Sequence, residues 1–275
     1  MNVKKSGVLW LVATPIGNLE DLSPRAQRLL REVKLIAAED TRHSKPLLAH
    51  FGIGTLLTPL HEHNEREAIA PLLARLQAGE DIALISDAGT PLISDPGFRL
   101  VRAAHECGIR VSTVPGPCAA IAALSIAGLP GDRFVFEGFL PAKAPARRAR
   151  LRELVHESRT LVLYESSHRI AECCEDLCDI FGAQREARLA RELTKLHETV
   201  LGETLGEIAE RVAADADQRR GEFVLVIAGA RERGDGKLAE GRRVYALLRE
   251  ELPPAQAAKL AAAISGAPRK ALYGD

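Results

Sequence analysis

The chain has no surplus charge of either sign: 37 lysines and arginines stand against 37 aspartates and glutamates in 275 residues. That balance excludes a protein that coats nucleic acid through bulk charge, while leaving room for local basic patches. Aromatic residues make up only 4%, so there are few platforms on which unpaired bases could stack, and any RNA recognition would rest on shape and phosphate contacts. Cysteine is sparse and odd in number: Cys107, Cys118, Cys173, Cys174 and Cys178. They lack paired CxxC spacing, which predicts reduced thiols, a cytoplasmic location and no zinc or iron–sulfur centre. His61-Glu62-His63 has no further ligands near it in sequence and reads as a polar loop, so no metal is predicted.

Long apolar runs are missing as well. Lys4 and Lys5 precede only six apolar residues, Val8 to Ala13, with no cleavage site after them. The uncharged stretch from Val111 to Gly131 is broken by Pro115, Gly116 and Pro117, which favours strand, turn and short buried helix over a membrane span, with Ile121, Leu124 and Ile126 in the core. No membrane partner is expected. Absent too are GxxxxGK[ST], GxGxxG after the first strand and GxSxG, which disfavours a P-loop hydrolase, a dinucleotide dehydrogenase and a hydrolase elbow.

What is present is an alternation of short apolar runs with helical patterns. Gly7–Ala13, Val33–Ala38, Asp81–Ile85 and Arg110–Val114 read as strands. Ser23-Pro24 opens a helix through Glu32, and Asn64–Gln77 and Gly97–Cys107 are helical. Phe134–Phe136, Thr160–Tyr164, Ala187–Arg191 and Phe223–Ala228 are further strand candidates, and helices fit Pro145–Glu157, His168–Phe181 and Thr204–Ala214. The pattern predicts an α/β fold of two α/β domains with mostly parallel or mixed sheets, plus a small helical C-terminal tail. The domains are expected at 1–115, 116–230 and 238–275. A polar linker over Ala230–Lys237 leads to two short helices, Val244–Glu251 and Ala255–Ile264, separated by Pro253-Pro254.

Ligands of such sheets sit beyond the carboxyl ends of the strands. Those loops are rich in Gly, Pro, Asp, Ser and Thr, residues that let backbone approach a ligand and supply polar partners. Asp87 reads as a ligand carboxylate or as a cap on its own loop. Asp95, before Pro96, reads as a helix N-cap. Lys143, Arg147, Arg148, Arg150 and Arg152 occur without an acid between Gly138 and Arg152, as a phosphate-binding segment or a solvated helix face. Lys259, Arg269 and Lys270 make the tail basic, as an RNA-contacting or dimer-packing appendage.

The strings ATPIGNLEDLSPRA, AEDTRHS, LISDAGTPLISDPG, VPGPCAAIAALSIAGLP, FEGFLP, YESSHR, RELTKLHE and GEFVLVI occur in this order. Together they resemble the tetrapyrrole methylase superfamily, and within it the branch that 2′-O-methylates a cytidine ribose in the decoding centre of 16S rRNA. The resemblance spans residues 7–229 and, more loosely, the tail. It implies S-adenosyl-L-methionine as cofactor, held by Pro15, by Ser86, Asp87 and Thr90, by Cys118 and Ala119, and by Tyr164, Glu165 and Leu193. It implies 16S rRNA in the small ribosomal subunit as partner, and a homodimer. For proton removal Lys195 is the first candidate, since a desolvated lysine can lose its proton near neutrality, with Glu165 and His168 as rivals. A surface pairing of Lys195 with Glu192 or Glu198 is the alternative. Lys143, Arg147, Arg148, Arg150, Arg169 and Arg191 are expected to meet RNA phosphates. Two competing readings are a small-molecule methyltransferase acting on a tetrapyrrole precursor and a non-catalytic ribosome-binding factor.

Overall fold

Ser23 and Pro24 behave as their chemistry dictates. The Ser23 hydroxyl accepts from the Ala26 N–H, and Pro24, with its fixed φ, opens helix α1 (Pro24–Glu32). In the computed structural model, which describes residues 6–230 and 234–272, α1 lies between strands β1 (Val8–Val12) and β2 (Leu35–Ala38). There follow α2 (Thr41–His50), β3 (Leu57–Pro59), α3 (Glu65–Gln77), β4 (Ile82–Ile85), α4 (Phe98–Glu106) and β5 (Arg110–Val114). These strands form one sheet in the order β3-β2-β4-β1-β5, parallel at every pairing. Every residue of β2 and β4 is buried, as expected of strands covered on both faces. The two-residue period divides them: Ile36, Ala38, Ala83 and Ile85 pack with Leu30 of α1 and Leu48 of α2, whereas Leu35, Ala37, Ile82 and Leu84 pack with Leu72 and Leu76 of α3 and Leu100 of α4.

The chain then continues through α5 (Ala119–Ile126), β6 (Phe134–Phe139), α6 (Ala144–Leu154), β7 (Thr160–Ser166), α7 (Ile170–Phe181), β8 (Ala187–Arg191), β9 (Thr199–Leu201), α8 (Leu205–Ala214) and β10 (Glu222–Ile227). The second sheet runs β6-β7-β10-β8-β9. β6 pairs parallel with β7, while β10 is antiparallel to both β7 and β8. One face carries α6, α7 and α8 through Leu151, Leu177 and Ile208. The other carries α5 through Ala120 and Ala123, with Ile16 from the loop after β1 and Leu193 from the turn after β8. Both sheets lie in one compact unit, which ends at Val155, resumes at Arg159 and closes at Ala228.

A second unit takes in His156–Ser158 and the chain from Gly229. Here α9 (Gly234–Arg249) and α10 (Pro254–Ser265) close around Val244, Ala258, Ala261, Ala267 and Leu272. No described helix is long and apolar enough to cross a membrane.

Two expectations change, and three elements, α2, β3 and β9, lie outside the sequence reading. The helix α2 forms despite Pro46 inside it, with Asp40 as its N-cap and Leu48 buried. The three-residue strands β3 and β9 are too short to show a period. Helix α9 begins at Gly234, inside the segment read as a linker, of which residues 231–233 lie outside the described residues, as do Lys4 and Lys5. Ile121 and Ile126 are about half exposed, because the small side chains of Ala120 and Ala123 face the sheet instead.

Candidate active site

Eight segments of the chain converge on one cavity of about 430 Å³. From the first sheet come Ile16 after β1, Glu39 after β2, and Asp87–Thr90 with Ile93–Asp95 after β4. Cys118 and Ala119 open α5. From the second sheet come Phe139 of β6, Tyr164–Ser167 at the end of β7, Leu193, and Gly221–Val224 of β10. The volume suits a small-molecule ligand.

Backbone locks hold these loops together. Thr14 and Gly89 exchange two backbone hydrogen bonds of 2.9 and 3.0 Å, so the loop after β1 is stapled to the loop after β4 beside Pro15. Ser86 is buried; its carbonyl accepts from the Thr14 hydroxyl, and its own hydroxyl donates to the Ala88 carbonyl, so it supports the wall rather than lining it. The Thr90 hydroxyl donates to the Pro117 carbonyl at 2.9 Å, tying the same loop to the Pro-Gly turn. Tyr164 accepts from the Ala120 N–H at 3.0 Å and meets Phe136 and Phe139 edge-on at 5.0 and 5.6 Å. Burial first, and then the neighbouring Cys118, push its phenol above its ordinary range, so it stays neutral. Of the residues assigned to the cofactor, Asp87, Thr90, Cys118, Ala119, Tyr164, Glu165 and Leu193 line the cavity, while Pro15 and Ser86 do not.

The lining is acidic. Glu39, Asp87, Asp95, Glu165 and Glu222 all face it, and among the described residues no Lys, Arg or His does. Two of these carboxylates are neutralised from outside the wall: Glu165 by Arg169 at 3.1 Å and Glu222 by Lys195 at 2.9 Å. The other three are grouped together. Asp87 accepts from the Asp40 N–H at 3.0 Å and reaches across to the β2 loop instead of capping its own. Burial is the chief cause that raises the Glu39 carboxyl; a bond from the Asp87 N–H at 3.4 Å lowers it, and the Asp87 and Asp40 charges raise it. Asp95 is pushed up to about 6, first by burial and then by Glu39 and Asp87, against a stabilising bond from Ser86. The sequence reading of Asp95 as a helix cap is therefore corrected: Gly97, at φ +120°, caps α4, and Asp95 faces the cavity. Glu39 and Asp95 escaped sequence reasoning, although each directly follows a strand or lies in the Gly/Asp loop.

The three residues considered for proton removal separate. Burial pulls the Lys195 ammonium down, but bonds from Nζ to Glu192 (2.8 Å) and Glu222 (2.9 Å) outweigh it and hold the group above its ordinary range. The expectation of a lysine neutral near pH 7 is corrected: here it is a cation beside the cavity. Glu165 is in the wall, 3% exposed, accepting from the Ser166 N–H and paired with Arg169. His168 is exposed and outside the lining.

The turn that carries Lys195 is strained. Glu192 and Thr194 adopt φ of +53° and +65°, which side chains rarely tolerate. Two glycines make room for it. A side chain on Gly17 would strike Lys195 Cγ and Thr194 Oγ1, and one on Gly221 would strike the Glu192 carboxylate.

The arginine run is corrected more sharply. Arg147 is 1% exposed and buried against α7, with Nε 2.7 Å from Asp176 and Nη2 3.3 Å from Glu172. It is a core ion pair and cannot meet RNA. Arg191, 9% exposed, donates to the Arg220 and His197 carbonyls. Arg148 is shared between Asp176 and Asp179, Arg150 grips Glu137 with two nitrogens, and Arg169 also holds the Leu140 carbonyl. Lys143 is exposed at the start of α6.

The His61 backbone and ring both bond to Asn64 in a turn, and no group of three metal-binding side chains occurs among the described residues. All five cysteines are free thiols.

Residues 8–209 match the model of the tetrapyrrole (corrin/porphyrin) methylases, and residues 235–274 match that of the RsmI C-terminal HTH domain. The ribosomal RNA small subunit methyltransferase I of Xylella fastidiosa is 63% identical over 98% of this chain and 98% of its own length, and that of Pseudomonas aeruginosa is 58% identical over 98% and 96%. The chain belongs to the ribosomal RNA small subunit methyltransferase I family of tetrapyrrole methylases. The two-sheet unit has the tetrapyrrole methylase fold. A uroporphyrin-III C-methyltransferase from Thermus thermophilus, solved with S-adenosylhomocysteine, superposes with a TM-score of 0.55 at 20% identity, over 81% of this chain and 97% of its own. Within this methylase family, the eight strings of the sequence fall largely on the loops that build the cavity.

Proposed function

We propose that the protein transfers a methyl group from S-adenosyl-L-methionine to the 2′-oxygen of a cytidine ribose in the decoding centre of 16S rRNA. The observation that carries the reading is the cavity: one acidic, aromatic-edged pocket built by loops of both sheets, in a chain of this family. Its residues fit the donor. Ile16, Ile93, Phe139 and Leu193 supply apolar walls, Tyr164 fixes the α5 backbone beside Cys118 and Ala119, and Asp87 offers a carboxylate to a cationic group. When bound, the cofactor supplies a methyl group on an already activated sulfonium leaving group.

The chain's own residues then have to align a ribose oxygen with that methyl and exclude water. Lys195, fixed as an ammonium by Glu192 and Glu222, gives the rim one cation suited to a phosphate or to a ribose oxygen as it loses its proton. Glu165 takes the proton-acceptor role, because it alone of the three candidates reaches the cavity wall. His168 and Arg169, on the same β7–α7 connection, flank the approach. Lys143, Arg148 and Arg150 are the phosphate contacts that burial leaves open on α6. The small subunit as substrate, a homodimer and a cytoplasmic location complete the reading.

The test is methyl transfer from labelled S-adenosyl-L-methionine to 30S subunits, to free 16S rRNA and to a uroporphyrinogen-type precursor, with the product nucleotide mapped by mass spectrometry. Label on one cytidine 2′-oxygen of the RNA is expected. Label on the tetrapyrrole alone would make the chain a small-molecule enzyme of the same fold. Failure to bind the donor in calorimetry would make it a non-catalytic factor.

A further inference from the structure

Asp95 has no role in the reading above, yet its surroundings are elaborate. The loop that presents it contains two side-chain-bearing residues in the left-handed region, Leu92 at φ +74° and Ser94 at φ +69°. Such strain persists only where the surroundings enforce it. They do so at two points. Gly138, at the irregularity in the β6–β7 register, leaves room for the Ser94 hydroxyl, which a Cβ there would meet at 2.9 Å. Gly97 leaves room for Leu92 and Leu84. The loop is thus wedged between the two sheets with Asp95 turned into the cavity.

Every neighbour that Asp95 meets there is neutral or negative. From β2's end comes Glu39, from the loop after β4 come Asp87 and Ser86, from β7 comes Tyr164, and Cys118 leads into α5. Glu165 and Glu222, on the opposite wall, are already matched by Arg169 and Lys195. Among the described residues, the cationic group that acts on Glu39 is His43 of α2. A half-buried carboxyl among like charges is costly to ionise unless a cation arrives.

We propose that Asp95, backed by Glu39 and Asp87, is the specificity residue by which the cavity distinguishes the cationic methyl donor from the neutral thioether that remains after transfer. The proposal rests on the donor assigned above. The donor and S-adenosylhomocysteine share an ammonium and a carboxylate and differ by the methyl and the sulfonium charge, so only a group that reads the sulfonium separates them. A cation next to Asp95 favours its ionised form, so near and below about pH 6 donor binding expels a proton, which the cavity takes back when the neutral thioether is left. The affinity for the donor therefore falls as pH drops through about 6, whereas that for the thioether does not. Product release is thereby favoured without any moving part.

The experiment is calorimetry of the full chain with S-adenosyl-L-methionine and with S-adenosylhomocysteine at about pH 5 and about pH 7.5, in buffers of different ionisation enthalpy. An opposite charge in contact is worth about tenfold or more in the protonation equilibrium. For the wild type, donor affinity should fall about tenfold at the lower pH, with proton release on binding, and thioether affinity should change by less than about threefold. Asp95→Asn should lose about tenfold in donor affinity at the higher pH, keep the thioether affinity, and flatten the pH dependence of their ratio. Glu39→Gln removes a like charge and should shift the wild-type midpoint to lower pH; this variant decides the matter if Asp95→Asn does not fold. Equal losses for both ligands would assign the trio to the shared ammonium and overturn the proposal. So would an unchanged ratio, or a pH effect that disappears in His43→Gln but persists in Asp95→Asn. If the wild type bound neither ligand, the assignment of the donor would fall instead.

Discussion

Two groups of charges in this protein are built to opposite rules. Between α6 and α7, Arg147 and Arg148 meet Asp176, with Glu172 and Asp179 completing the set, so that positive and negative groups match at contact distance. Around the cavity, Glu39, Asp87 and Asp95 face one another without a lysine or arginine in the lining. The Arg147–Asp176 pair at the centre of the matched group is buried and serves the fold. The unmatched group is closed to nothing and costs the fold something, which is the arrangement expected where a cation must bind. Charge left over inside a protein points to its ligand more directly than charge on its surface.

The sharpest way to break the contrast is to unmatch the first group. Arg147→Ala empties a buried site and leaves Asp176 to Arg148 alone, and should cost about 2–4 kcal/mol of stability, read from urea unfolding. A loss below about 1 kcal/mol would mean that solvent reaches the pair. In the second group the signs reverse. Asp87→Asn should weaken donor binding about tenfold or more while leaving the melting temperature unchanged or higher. A fall in melting temperature would show Asp87 to be structural.

Lys195 tests the boundary between the two, since it is matched yet beside the cavity. Lys195→Ala should lower kcat/KM for the RNA about tenfold, or about 1.4 kcal/mol, with donor affinity intact. Near wild-type turnover would remove it from the reaction. A smaller effect concerns acid. Asp95 titrates at about 6 in the folded chain, against an ordinary 3.8, so the stability it contributes is full below its unfolded pKa and is lost as pH rises through about 6. Melting curves of Asp95→Asn and wild type should therefore agree near pH 4, and the variant should melt higher near pH 7. Outside both groups, Ser23→Ala should cost only about 1 kcal/mol, the value of one N-cap.

The same contrast explains what the sequence disclosed. Local rules are legible: Ser23-Pro24 marks the start of α1, and β5 and β8 fall on the residues that their apolar patterns indicate. The strand-end loops are legible as the site because ligand binding there follows from the topology. Pairings across space are not. The arginines of α6 read as a positive surface because Asp176 lies 29 residues beyond Arg147, and nothing local shows that α7 turns it inward. Asp95 reads as a cap because Asp before Pro-Gly and a helix has the local chemistry of one. Only the fold reveals Glu39 beside it. The strain at Glu192 and Thr194 is equally hidden, since it exists only against Gly17 and Gly221.

That wedge has a mechanical consequence. The turn bearing Lys195 is gripped by a glycine from the loop after β1 on one side and by the glycine preceding β10 on the other. Sliding of the first sheet against the second would drive the Gly17 backbone towards the Lys195 and Thr194 side chains. The rim cation thus keeps its address because both halves are indexed to it, like two gears meshed on one tooth.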